Sequence, residues 1–101
     1  MSVAYRSETP NVAGEVVQQI SDSINQRLGP ANPPEGGLFH AEGPTRDGGW
    51  WTFNLWESEE DFTRFHDDIL APAFAQAGSP PWTYRKLDVA WDTTQVEASH
   101  M

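Results

Sequence analysis

Val12, Val16, Ile20, Ile24 and Leu28 fall every four residues along the chain, with Ala13 and Val17 beside them and Gln, Asp, Ser and Asn opposite. An apolar stripe of that period predicts a helix with one buried face. Thr9 before Pro10 predicts its start, because a threonine hydroxyl caps and a proline is tolerated at the first helical position. Gly29-Pro30 predicts its end. Ahead of it, Val3 to Arg6 reads as a short strand. Behind it, GPANPPEGG is turn chemistry, a loop that gives way to LFHAEG, a second strand.

The turn cluster GPTRDGG separates LFHAEG from WWTFNLW, so the two read as the arms of a hairpin. Ser58 followed by Glu59, Glu60 and Asp61 predicts a second helix, with a capping hydroxyl and then carboxylates at the positive end of the helix dipole. Phe62, Phe65, Ile69 and Leu70 give it an apolar face. Pro72 kinks or ends it, while Ala73, Phe74 and Ala77 predict one more turn before Gly78. SPPW breaks the chain, and Thr83 to Trp91 reads as a last strand with Leu87, Val89 and Trp91 on one side. Residues 93–101 carry too little apolar surface to pack, so the expectation is one domain over 1–92 followed by a C-terminal tail.

The order strand, helix, strand, strand, helix, strand predicts an α+β, ferredoxin-like βαββαβ fold: a four-stranded antiparallel sheet with both helices on one face. Alternation along the third strand then points Trp50, Thr52, Asn54 and Trp56 one way and Trp51, Phe53 and Leu55 the other. Two helices cover only one face. An uncovered Trp51, Phe53 and Leu55, joined by Phe39 and Ala41, would expose about 400 Å² or more. The simplest cover is the same face of a second copy, packing sheet on sheet as a two-fold homodimer; the chain's own tail and loops are the alternative.

Composition narrows the partners. Fifteen acids against six bases leave a net charge of -9, with no Lys/Arg patch for phosphates, so nucleic acid and anionic membrane are poor partners. No apolar run approaches the roughly 18 residues of a membrane span. The absence of cysteine removes disulfides, thiolate metal sites and a cysteine nucleophile, and with no N-terminal basic and apolar leader a cytoplasmic location is expected.

The polar residues among the rings carry the candidate chemistry. A loop of Pro44 to Gly48 pairs Gly43 with Gly49, which sets His40 opposite Thr52 and Leu38 opposite Asn54. His40 then shares a face with Trp50, Thr52, Asn54 and Trp56, beneath the helices. A loop one residue shorter reverses His40. Glu42, if it lies across from Trp50 at the pocket mouth, orients His40. His66 stands within the apolar stripe of the second helix, as either a core histidine bonded to a carbonyl or a pocket base near neutral pH. The candidate catalytic residues are therefore His66, His40 and Asn54. The candidate lining is Trp50, Thr52, Trp56, Phe62, Phe65, Ile69, Leu38 and Tyr84. His40, His66 and Glu42 lack the spacing of a metal site, GGLFHAEG lacks the strand, glycine spacing and helix of a nucleotide loop, and no cofactor is expected. The acids Glu59, Glu60, Asp61, Asp67 and Asp68 read as a solvated helix face.

From Gly36 to Ala77, the H-A-E-G-P turn, the strand ending W-E-S and the helix E-E-D-F-x-x-F-H resemble the dimeric α+β barrel superfamily, and within it the antibiotic biosynthesis monooxygenase-like domains. That resemblance implies dimerisation through the sheets and a pocket in each subunit between sheet and helices. In the cofactor-free monooxygenases of aromatic polyketides, an Asn and a Trp of the third strand line the pocket; Asn54 and Trp56 supply those types here, at a shorter spacing. Bacterial heme-degrading members use a third-strand Trp and a second-helix His, the positions of Trp56 and His66, together with a first-strand Asn that Val3, Ala4, Tyr5 and Arg6 do not supply. The leading expectation is a cofactor-independent enzyme acting on a planar aromatic or polyketide-like molecule, most simply by monooxygenation. A cyclase, isomerase or lyase using the same base and oxyanion donor, a heme-binding or heme-degrading protein with His66 as ligand, and a non-catalytic dimeric binding module are the alternatives.

Overall fold

The structure, a computed structural model, describes residues 2–92; the tail expected over 93–101 lies outside the described residues. Four strands form one antiparallel sheet in the order β2-β3-β1-β4: β1 (Val3–Thr9), β2 (Gly37–Pro44), β3 (Trp50–Trp56) and β4 (Arg85–Asp88). Between them run α1 (Gly14–Leu28) and a second helix in three parts: α2 (Glu59–Phe65), a π-helical segment His66–Leu70, and α3 (Ala71–Gln76). The ferredoxin-like βαββαβ plan is the one observed.

The core lies between the helices and the inner face of the sheet. Val3, Tyr5 and Trp56 rise from the strands to meet Val17 and Ile20 of α1, Phe62 of α2, and Leu70, Ala73 and Phe74 further along the same helix. Tyr5 stacks on Phe62 with ring centroids 3.7 Å apart, and Trp56 packs edge-on to Phe62 at 5.9 Å. Burial of such rings is the main stabilising term in a chain this short.

The expected start of α1 is corrected. Thr9 does not cap it but pairs with Trp50 at the end of a longer β1, since ladder bonds to β3 satisfy its backbone more fully than a local cap. The chain turns at Asn11, with φ 53, and Val12 N donates to Gly48 O at 3.2 Å, so α1 begins only at Gly14. The last strand is also shorter than Thr83 to Trp91. Trp82 and Tyr84 turn in to pack against Phe74 and Phe62, which draws the chain off the sheet until Arg85, and Trp91 is 60% exposed.

The second helix starts as expected. Asp61 N donates to Ser58 Oγ at 3.2 Å, and Ser58 Oγ donates to Asp61 Oδ2 at 2.9 Å. Pro72 neither ends nor sharply breaks it. The helix widens ahead of the proline, where Ala71 N donates to His66 O, an i to i−5 bond, and continues to Gln76.

The hairpin register differs from expectation by two positions. The turn is residues 45–49, held by Gly49 N donating to Thr45 Oγ1 at 2.8 Å, and Pro44 rather than Gly43 opens it opposite Trp50. Because the side-chain period is two, that slip leaves every side chain on its expected face. His40 now opposes Asn54, Glu42 opposes Thr52, and the ladder is irregular between Gly37 and Phe39, so Leu38 no longer sits opposite Asn54. On the outer face Phe39 is 55% and Trp51 38% exposed, while Phe53 is half-buried. Leu55, also expected to need a partner, is already buried within its own chain, between Ala4 and Phe39 on the neighbouring strands.

Candidate active site

A cavity of about 450 Å³ opens between α1, the inner face of the sheet and the second helix. Ile20, Ile24 and Leu28 of α1 form one wall, and Trp56, Phe65, Leu70 and Phe74 another. Asn32, Pro33 and Pro34 of the loop before β2 complete the lining on one side. Polar groups come from the strands and the segment before β4, namely His40, Glu42, Thr52, Asn54, Tyr84 and the indole of Trp82, and from Ser21 and Asn25 of α1.

Strand parity places them. Thr52 and Asn54 are buried, and each bonds to a neighbour that alternation puts on the same face. Ser7 Oγ and Thr52 Oγ1 lie 2.5 Å apart across the β1–β3 pair. Trp56 Nε1 donates to Asn54 Oδ1 at 3.0 Å. An indole N–H is a donor only, so this bond fixes which way the amide faces. Its oxygen is occupied, which leaves the Nδ2 group, with its two N–H donors, as the arm of the amide that can serve a ligand.

Glu42 is held by two donors. Trp50 Nε1 donates to its Oε1 at 3.0 Å, and His40 Nε2 bonds to its Oε2. An ionised carboxylate accepts only, so Nε2 of His40 carries the proton and Nδ1 is left as the basic nitrogen. The His40 bond, and after it the Trp50 bond, lower the Glu42 pKa below its usual range against the opposing effect of burial. The His40 side chain remains 52% exposed, which puts the pair at the mouth with a route to water. Further in, burial and the Glu42 charge push the Tyr84 phenol well above its ordinary range, so it stays protonated.

Of the residues singled out in the sequence, Leu38, His40, Thr52, Asn54, Trp56, Phe65 and Tyr84 reach the cavity wall. Trp50, Phe62, Ile69 and His66 do not. Trp50 acts one step back, through Glu42. Phe62 fills the core between Tyr5 and Trp56. His66 is half-buried, bonded through Nδ1 to Asp67 Oδ1 at 3.1 Å, with its ring against Phe62 and Tyr84. The heme reading needs His66 as a ligand facing the cavity, and the residues do not fit that group. Among the described residues no cluster of three or more His, Asp or Glu side chains is placed to hold a metal ion. Sequence reasoning missed Trp82 and the Asn32–Pro34 stretch; the only signal for either was a break in periodicity.

An antiparallel four-stranded sheet with helices on one face is also the fold of solved proteins that include a cofactor-independent oxygenase and a proposed antibiotic biosynthesis monooxygenase. A mutant of SnoaB, a cofactor-independent oxygenase from Streptomyces nogalater, superposes with a TM-score of 0.67 at 10% identity, over 93% of this chain and 98% of that one. Rv0793 from Mycobacterium tuberculosis gives 0.65 at 12% identity, over 92% and 99%. A proposed antibiotic biosynthesis monooxygenase from Chloroflexus aurantiacus gives 0.63 at 13% identity, over 91% and 96%. No family model matches the sequence, and no curated protein matches it significantly. At these identities the likeness is one of fold.

Proposed function

We propose that the protein is a cofactor-independent enzyme that oxidises a planar aromatic or polyketide-like molecule with molecular oxygen in this cavity. One observation carries the reading: His40, braced by Glu42, and Asn54, whose amide oxygen is taken by Trp56, are direct cross-strand partners on the cavity wall. Side chains so paired stand about 5 Å apart at Cβ, close enough to act on one substrate.

The chemistry follows from those groups. A ring system enters among Trp56, Phe65 and the aliphatic side chains of α1, where stacking and exclusion of water favour a flat molecule. His40 Nδ1 removes a proton from an acidic CH2 between two rings, and the Asn54 amide donates to the oxygen on which the negative charge collects. The electron-rich anion then reduces and joins molecular oxygen, and the imidazolium returns its proton to the resulting peroxide. Loss of water breaks the O–O bond and leaves a carbonyl, so that CH2 and O2 become C=O and H2O. Exclusion of bulk water keeps the anion from simply being reprotonated.

The test is oxygen uptake with 1,8-dihydroxyanthrone near neutral pH, above the uncatalysed rate, with the quinone identified as product. Turnover of such a substrate without oxygen uptake would assign the same base and donor to isomerisation or cyclisation instead.

The proposal includes a second copy of the chain. Phe39 and Trp51 stand exposed on the face the helices leave bare, with Phe53 beside Phe39 at 6.2 Å, ring centroid to centroid. Packing that face against its own copy hides these rings.

A further inference from the structure

Trp82 belongs to no strand or helix. It lies in the segment between α3 and β4, packed on Phe74 with ring centroids 5.3 Å apart and the planes at 37°. It is 7% exposed and contributes to the cavity wall, yet its Nε1–H finds no acceptor among the described residues. Native interiors rarely strand a donor in this way, and phenylalanine would keep the packing on Phe74 without doing so. The described residues around the indole offer no acceptor, and the cavity that it lines is a space from which a ligand can bring one. Two residues on, Tyr84 lines the same cavity with a phenol that burial keeps protonated, so the segment presents two donors to the cavity, whereas the second helix lines it with Phe65, Leu70 and Phe74 alone.

We propose that Trp82 is a specificity-determining residue whose Nε1–H donates to a carbonyl or phenolic oxygen of the bound ring system, so that the cavity selects oxygenated planar molecules over hydrocarbons of the same shape. This rests on the reading of the cavity as the ligand site. It adds a requirement that stacking and shape do not impose, an acceptor on the part of the ligand next to Phe74.

The test uses α-tetralone and tetralin, which differ chiefly by one carbonyl oxygen, titrated into the full chain and followed by NMR at the Trp82 indole N–H and at the methyls of Ile24 and Leu28. The expected result is a downfield shift of the Trp82 indole proton with α-tetralone and none with tetralin. In Trp82→Phe the ratio of the two affinities falls about fivefold in favour of tetralin, the equivalent of one neutral hydrogen bond of about 1 kcal/mol. If both probes shift the methyls while the indole proton stays put and the ratio is unchanged in Trp82→Phe, the donor role is overturned and the cavity reading stands. If neither probe shifts the methyls, both are overturned. Should Trp82→Phe fail to fold, the indole shift in the unsubstituted protein decides alone.

Discussion

Glu42 meets two donors at once, and both bonds follow from alternation: residues 40 and 42 of β2 and residue 50 of β3 share the inner face of the sheet. That much was legible in the sequence, because a period of two is robust to a register error of two. Trp82 was not, because SPPWTY has no period to read, and its indole is placed by packing on Phe74 from a distant part of the chain. His66 shows the opposite failure. Its place in the stripe suggested the pocket, but adjacent helical positions differ by about 100°, so Phe65 takes the cavity wall and His66 turns toward Tyr84. Tyr84 carries the prediction at this scale. Its folded-state pKa is raised above the ordinary 10.0, so its contribution to stability is fully present below that value and is lost as pH rises past it. Thermal melts across the alkaline range should show this loss in the unsubstituted protein and a shallower one in Tyr84→Phe; equal slopes would contradict the burial of the phenol.

The second helix was read correctly at its start and only in part beyond it. Ser58 and the three acids after it form a local signal, complete within four residues, and the observed cap matches it. The π-helical segment depends on where Pro72 must fit against the core, and no local pattern announces it. The hairpin turn is more constrained than its glycine-rich sequence suggests. A Cβ at Gly49 would stand 2.4 Å from Thr9 O, a backbone atom with no freedom to withdraw, whereas one at Gly14 meets nothing within 4 Å. Gly49→Ala is therefore expected to destabilise by about 1–3 kcal/mol, and Gly14→Ala to be neutral or stabilising by up to about 1 kcal/mol. Urea denaturation midpoints check both, and comparable effects at the two positions would refute the close approach.

At the scale of the whole molecule, the two faces of β3 divide the work between a cavity and a bare apolar surface. The βαββαβ order was readable because each element has its own period and the breaks between them are rich in Gly and Pro. The cavity was readable only as a face, since its volume depends on how α1 stands over the sheet. The proposed pairing of two copies predicts a dimer in sedimentation at micromolar concentration, and a monomer when Phe39 and Trp51 are both replaced by glutamate. A monomer before substitution would remove the second copy from the account.

The cavity as a place of oxidation is the central claim, and its most direct measurement is the initial rate of oxygen uptake with 1,8-dihydroxyanthrone for the unsubstituted chain beside His40→Gln, Glu42→Gln and Asn54→Ala. The account predicts a loss of about a hundredfold or more for His40→Gln and about tenfold for Glu42→Gln, which removes the brace but not the base. For Asn54→Ala it predicts a loss of about a hundredfold, the cost of one oxyanion donor. Rates unchanged across the three substitutions, or no uptake above the uncatalysed reaction by the unsubstituted chain, would contradict it.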